Sequence, residues 1–228
     1  MESKSVTEVL AERLRAAYTN GPIPPMRDLL EPKDAAGAFA VQLFNVNLWK
    51  QQGRTVSGHK IGLTSRAVQA QFGVDQPDYG VLFKDTEIED GGNLNPALVL
   101  QPRAEAEIAI TLRRDIDNPN AGIQEIIAAT EYVLPSIEIV DSRIADWKIS
   151  FADTVADNAS SAFYVLGTVP RAITGLDLWT CGMVLEINGS VASFGAGAAC
   201  LGHPLEAAAW LARTLSRLGE PLRGGEVI

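Results

Sequence analysis

The run "LQPRAEAEIAI", residues 100–110, places two glutamates one residue apart inside an apolar stretch that reads as a β-strand. In an extended chain, side chains at i and i+2 leave the same face, about 6.6–6.8 Å apart. Arg103, Glu105 and Glu107 therefore share one face, and Ala104, Ala106, Ile108 and Ile110 share the other. At an effective dielectric of about 20, carboxylates at that spacing repel by roughly 2.5 kcal/mol. A solvated sheet face tolerates such a pair and is the simplest reading of an isolated E-x-E. The neighbours point elsewhere. Arg103 brings one positive charge against two negatives. A third acid, Glu138, sits in "SIEIV" among Ile137, Ile139 and Val140, the composition of a buried strand, where an unpaired carboxylate is costly. Glu105, Glu107 and Glu138 on two core strands suit a hard divalent cation such as Mg²⁺ or Mn²⁺. Such an ion takes oxygen ligands in octahedral geometry and leaves its remaining positions to water or substrate.

The segments around this strand have their own signals. Ser5 and Glu8 have capping-box spacing, and Val6, Val9, Leu10, Leu14 and Ala17 then recur at helical period up to Asn20-Gly21. After the proline-rich "GPIPPMRDLLEPKD", Asp34 can cap a second helix from Ala35 to Gln52, with Phe39, Leu43 and Val46 as its core-facing stripe. Residues 1–54 thus form an N-terminal helical cap, and 55–228 a mixed-β core. In the core, "TVSGHKIGL" predicts a strand broken by glycines, and "TSRAVQAQFG" a short helix capped by Thr64. "IQEIIAATEYV" predicts a helix, "LPSIEIVDSRI" a strand, "FADTVADNASS" a polar loop and "AFYVLG" a strand. Asn188-Gly189 in "GMVLEINGSVASF" is a type I′ hairpin signal, and Pro204 fits the first turn of the helix "HPLEAAAWLARTLSRLG". The closing "EVI" reads as a strand just beginning with nothing after it to pair, so a chain cut short, with an incomplete sheet, is expected. The fold class is α+β.

The 228 residues are 46% hydrophobic and 21% charged, which is ordinary globular composition. A net charge of −9 without a lysine–arginine cluster argues against nucleic acid or an anionic membrane as partner. The polar N-terminus lacks a signal-peptide core, and no apolar run reaches the length of a membrane span, so a cytoplasmic location is expected. Cys181 and Cys200 form no C-x-x-C and read as reduced packing residues. His59 and His203 are too few for a histidine-rich zinc site.

Six stretches occur in order: "GHKIGLTS", "GVDQPDYG", "LQPRAEAEIAI", "LPSIEIVDSRIADW", "DTVADNASS" and "CLGHPLEAAAWLARTL". Together they strongly resemble the 2-hydroxypenta-2,4-dienoate hydratases of the fumarylacetoacetate hydrolase superfamily, over essentially the whole chain. The resemblance implies a mixed β-sheet roll with an N-terminal helical cap. It also implies a divalent metal, Mg²⁺ or Mn²⁺, and homo-oligomers that include decamers. It assigns the metal triad to Glu105, Glu107 and Glu138, and matches Lys60 and Asp78 to the family's lysine and aspartate stretches. The implied substrate is a small 2-oxo or 2-hydroxy dienoate, met in the catabolism of aromatic compounds by meta-cleavage. A 2-oxo-3-hexenedioate decarboxylase or a related C–C hydrolase, and an inactive homologue or small-acid binder, are the alternative readings.

On this resemblance Lys60 serves as an acid/base, with a pKa lowered by a nearby metal cation. Asp78 is the second acid/base, although a turn-capping aspartate is an equally simple reading. Ser160 orients water or the carboxylate. Asp157 and Asn158, in the same polar stretch, could do the same or simply fill a loop. Arg103 is expected to neutralise the acidic face, and Asp141 and Arg143 to form a structural pair.

Overall fold

The computed structural model describes residues 4–228. Helix α1 (Val6–Asn20) starts at the capping box: the Ser5 hydroxyl accepts from the Glu8 amide, and the Glu8 carboxylate takes the Ser5 amide at 2.7 Å. Leu10, Ala11, Leu14 and Ala17 are its buried face. Helix α2 (Ala35–Gln51) is capped by Asp34 as expected, but its inward face differs from the predicted stripe. Leu43 is 52% exposed, while Gln42 and Asn45 are buried. The reason is hydrogen bonding across the interface. The Gln42 amide donates to the carbonyls of Tyr79 (2.8 Å) and Val155 (3.1 Å), and Asn45 to that of Ala11 (3.3 Å). Polar side chains can line a helix interface when backbone acceptors meet them there.

The core begins with an antiparallel pair, β1 (Val56–Gly62) and β2 (Asp78–Phe83). Between them lies α3 (Arg66–Phe72), capped by Ser65 rather than Thr64, because the Ser65 hydroxyl accepts from the Val68 amide. A four-stranded sheet follows. It is built from β3 (Glu87–Ile88), β4 (Arg103–Leu112), β5 (Thr130–Val140) and β6 (Ser161–Leu166) in the order β3-β6-β5-β4. Helix α4 (Ile123–Ala129) is shorter than its apolar run suggested, since Tyr132 and Val133 pair with β4 instead. The expected polar loop contains a helix, α5 (Phe151–Ala156). A Ser150–Asp153 capping box starts it, and Phe151, Ala152, Val155 and Ala156 pack into the core shared with α1 and α2.

The closing "EVI" is not unpaired. Val227 inserts beside β1, donating to Ser57 O (3.0 Å) and accepting from the His59 amide (2.9 Å). Ile228 and Ile110 on β4 exchange both bonds, at 2.8 and 2.9 Å. Residues 226–228 thus join the β1–β2 pair to the larger sheet. They fit only because residue 58 is glycine: a Cβ there would lie 1.9 Å from Val227 O. One face of the sheet is covered by α4 and α6 (Pro204–Arg217), with Ile110, Leu112, Val133, Leu205, Leu211 and Leu215 in the core between them. The opposite face carries Leu82, Ala109, Leu134, Tyr164 and Val227. A hairpin, β7 (Gly182–Ile187) and β8 (Ser190–Ala196), turns at Asn188 (φ 53°) and Gly189 (φ 77°), the predicted type I′ signal.

Candidate active site

Strand register assembles the acids. On β4 and β5, Glu105 stands opposite Glu138 and Glu107 opposite Ser136, and Glu138 in turn opposes Tyr164 on β6. Cross-strand partners share a face. The three glutamates therefore point away from the helices, to the side that also holds Ala109, Leu134 and Tyr164. Lys60 comes from β1: its Nζ lies 3.1 Å from Glu138 Oε2 and donates to Ala159 O at 3.0 Å. Asp78, at the start of β2, is buried, and its Oδ1 has no hydrogen-bond partner. Two glycines make the room. A Cβ on Gly62 would lie 2.2 Å from Asp78 Oδ1, and one on Gly80 would lie 2.4 Å from Asn158 O and 3.2 Å from Lys60 Cδ.

The charges shape one another. Burial pushes Glu138 up to about 7 against the pull of Lys60, with Glu105 adding to the rise. Glu107 is solvent-accessible at the cavity yet ringed by protein. The loss of surrounding water, followed by repulsion from Glu138 and Glu105, also takes it to about 7. Asp78 is raised by burial, with Lys60 opposing. Burial by itself would lower Lys60, but Glu138, Asp78 and Glu105 outweigh it and hold the ammonium above its ordinary range. That reverses the expected lowering, which presumed a neighbouring metal cation; the protein groups alone act the other way.

The set fits a divalent cation by donor chemistry. All three glutamates offer oxygen, the buried Glu138 Oε1 has no partner, and a cation would offset the burial and mutual repulsion that raise Glu107 and Glu138. In this arrangement Glu138 is engaged by Lys60, and among the described residues no three acidic, histidine or cysteine side chains converge as a ready ligand shell. Lys60, Glu107 and Glu138 line a cavity of about 330 Å³, whose other walls include Leu82, Leu166 and Met183. Lys60 is the one cation among the described residues lining it. Cys181 and Cys200 are free thiols, as expected; both border the cavity, and Cys181 packs against the core.

Other expected residues stand elsewhere. The Ser160 hydroxyl turns to Thr154 Oγ1, 3.2 Å away, and does not line the cavity; Asp78 and Glu105 are likewise not on its wall but stand beside Lys60 and Glu138. The Arg103 guanidinium stacks over Trp147 at 4.2 Å instead of pairing with the glutamates. Fully buried Arg143 pairs with Asp157 (2.6 Å), and Asp141, 3.9 Å away, spends its carboxylate on the Leu100 and Gln101 amides. The sequence reading also missed the turn that carries Ala159. Asn158, Ala159 and Ser160 have φ of 57°, 52° and 54°, a left-handed run that costs roughly 1–2 kcal/mol per non-glycine residue. Only Asn158, a residue type tolerant of that region, hinted at it.

A mixed sheet whose helix-free face carries this acidic cluster places the chain in the fumarylacetoacetate hydrolase class of folds. A fumarylpyruvate hydrolase from Pseudomonas aeruginosa superposes with a TM-score of 0.57 at 13% identity, covering 76% of this chain and 75% of that one. The 4-oxalocrotonate decarboxylase from Pseudomonas putida G7, complexed with magnesium and adipate, superposes at a TM-score of 0.92. It is 36% identical, with 100% of this chain and 87% of that chain covered. No protein-family model matches the chain. The 2-keto-4-pentenoate hydratase of Paraburkholderia xenovorans (strain LB400) is 51% identical over 222 residues, covering 97% of this chain and 82% of that protein. The chain belongs to the 2-keto-4-pentenoate hydratase family and is an enzyme. No helix among the described residues is long and apolar enough to cross a membrane.

Proposed function

We propose that the protein adds water to 2-hydroxypenta-2,4-dienoate, giving 4-hydroxy-2-oxopentanoate, within the catabolism of aromatic compounds by meta-cleavage. The observation that carries the reading is one buried ammonium set among carboxylates at the polar end of an otherwise largely apolar cavity. Glu105, Glu107 and Glu138 would hold a divalent cation, Mg²⁺ or Mn²⁺. When bound, the ion supplies positive charge for the substrate carboxylate and C2 oxygen. The chain's own groups handle the protons. Lys60 donates a hydrogen bond to the C2 oxygen or the carboxylate and holds the anionic end in place. As the enol proton leaves the C2 oxygen, a proton is delivered to C5, which gives an α,β-unsaturated 2-oxo acid. Water then adds at C4 and a proton at C3. Asp78 is the acid/base for these transfers: it is buried, raised in pKa and unpartnered at Oδ1.

Decarboxylation of a 2-oxo-3-hexenedioate is the competing reading, supported by the likeness to the decarboxylase. Its second carboxylate would find no second cation among the described residues lining the cavity, which favours hydration. The experiment follows loss of dienoate absorbance by purified protein with Mg²⁺ or Mn²⁺ and with EDTA, beside CO₂ release from the dicarboxylate. Metal-dependent loss of the dienoate without CO₂ release supports hydration; an unchanged dienoate with either metal refutes it. The same reading carries a cytoplasmic homo-oligomer, with the exposed hairpin residues Val184, Val191 and Phe194 as contact surface. Light scattering of the purified protein tests the oligomer.

A further inference from the structure

Asn158, Ala159 and Ser160 are all buried, and all three lie in the left-handed region although none is glycine. Such a run persists only where its surroundings over-determine it. The surroundings are specific. Asn158 Oδ1 accepts from the Val81 amide at 2.8 Å and its Nδ2 donates to Val81 O at 2.9 Å, so one side chain satisfies both backbone groups of a β2 residue. The Asn158 carbonyl occupies the space that a side chain at Gly80 would fill, and the Lys60 stem borders the same space. On the far side, the Asp141 amide donates to Ser160 O at 2.8 Å, and Asp157 is locked to buried Arg143. What this fixation presents is the Ala159 carbonyl, 3.0 Å from Lys60 Nζ. An ammonium has three donors. Glu138 and Ala159 take two of them, leaving one for a ligand in the cavity that Lys60 lines.

We propose that Asn158 is a positioning residue for Lys60: by clamping the left-handed turn to Val81 it sets the Ala159 carbonyl that aims the ammonium at the ligand. Asn158 itself touches no ligand. The activity part of its test rests on the hydratase reading; the labelling part does not.

The experiment uses the full chain with Asn158→Gly, which accepts the left-handed backbone but removes both bonds to Val81, and Asn158→Asp, which keeps an acceptor for the Val81 amide. Folding is checked by thermal melts. Lys60 is then probed with trinitrobenzenesulfonate and peptide mass spectrometry, with exposed Lys84 and Lys148 as internal standards. Lys60 should label faster in Asn158→Gly than in the wild type, with Asn158→Asp between them. With dienoate and Mg²⁺, kcat of the glycine variant should fall about tenfold or more while KM stays within about threefold. The aspartate variant should recover part of kcat. The proposal is overturned if Lys60 labels at the wild-type rate in both folded variants, or if kcat falls only in proportion to unfolded protein. A wild type that leaves the dienoate untouched would remove the hydratase reading, and the labelling comparison would still decide the role of Asn158.

Discussion

Replacing Glu138 by Gln should make the metal-free protein more stable at pH 8 while abolishing cation binding. Glu138 is buried, and its pKa stands at about 7 against an ordinary 4.5. A carboxyl raised on folding contributes stability that is complete below about 4.5 and is lost as pH rises through about 7. At about 1.4 kcal/mol per unit, the loss by pH 8 is roughly 3 kcal/mol. Glutamine matches the protonated acid in shape and cannot ionise. Wild type and Glu138→Gln should therefore melt within a few degrees of each other at pH 5. At pH 8 they should separate by about 6–12 °C in favour of the variant, given some 2–4 °C per kcal/mol for a chain of this size. Glutamine also removes the largest upward pull on Lys60, so the double variant Glu138→Gln/Lys60→Met is melted beside the single one to separate the ammonium's own response. Adding Mg²⁺ at pH 8 should raise the melting temperature of the wild type and leave that of the variant where it was. Calorimetric melts in chelated and Mg²⁺-containing buffers read both effects. A constant gap between the two proteins from pH 5 to pH 8 would refute the argument, because Glu138 would then ionise in the folded state as it does unfolded.

Three further substitutions test other parts of the site. Lys60→Met should lower kcat for the dienoate by about 10²–10³, the range for a lost hydrogen-bond donor to a developing oxyanion, with the fold intact by circular dichroism. Gly62→Ala places a Cβ 2.2 Å from Asp78 Oδ1; it should displace that carboxylate and cost about 1–3 kcal/mol in urea unfolding. Arg143→Met leaves Asp157 buried without its partner and should cost about 3–5 kcal/mol, again by urea unfolding. A cost near zero would make that ion pair dispensable.

The parts legible in the sequence were those with local causes. The Ser5–Glu8 box, the Asn188-Gly189 turn and Pro204 each act within a few residues, and each does what its type predicts. The shared face of Glu105 and Glu107 follows from the two-residue period of a strand. Glu138 joins them because an acid among Ile137, Ile139 and Val140 needs a reason to be there. What was not legible depends on partners far away in the chain. Val227 finds both its neighbours across long separations, so "EVI" looked unpaired. Leu43 faces water because Gln42 and Asn45 find carbonyls on other elements. Arg143 chooses Asp157 over Asp141, two residues away in the chain, whose oxygens are already spent on two amides. Gly62 and Gly80 gained meaning only once Asp78, Lys60 and Asn158 stood beside them.

The short bridge at residues 226–228 bears on how the protein reaches its folded state. Lys60 lies on one side of it and Glu105 and Glu107 on the other, and Ser57 must wait for Val227 before those two halves are tied. Contacts so distant along the chain carry a large closure entropy and tend to slow folding. Helices α1 and α2, and the β7–β8 hairpin, can form early from local contacts alone. The pairing that sets Lys60 against the carboxylates is then among the last events. A refolding experiment that follows secondary structure and enzymatic turnover in parallel should see turnover lag behind.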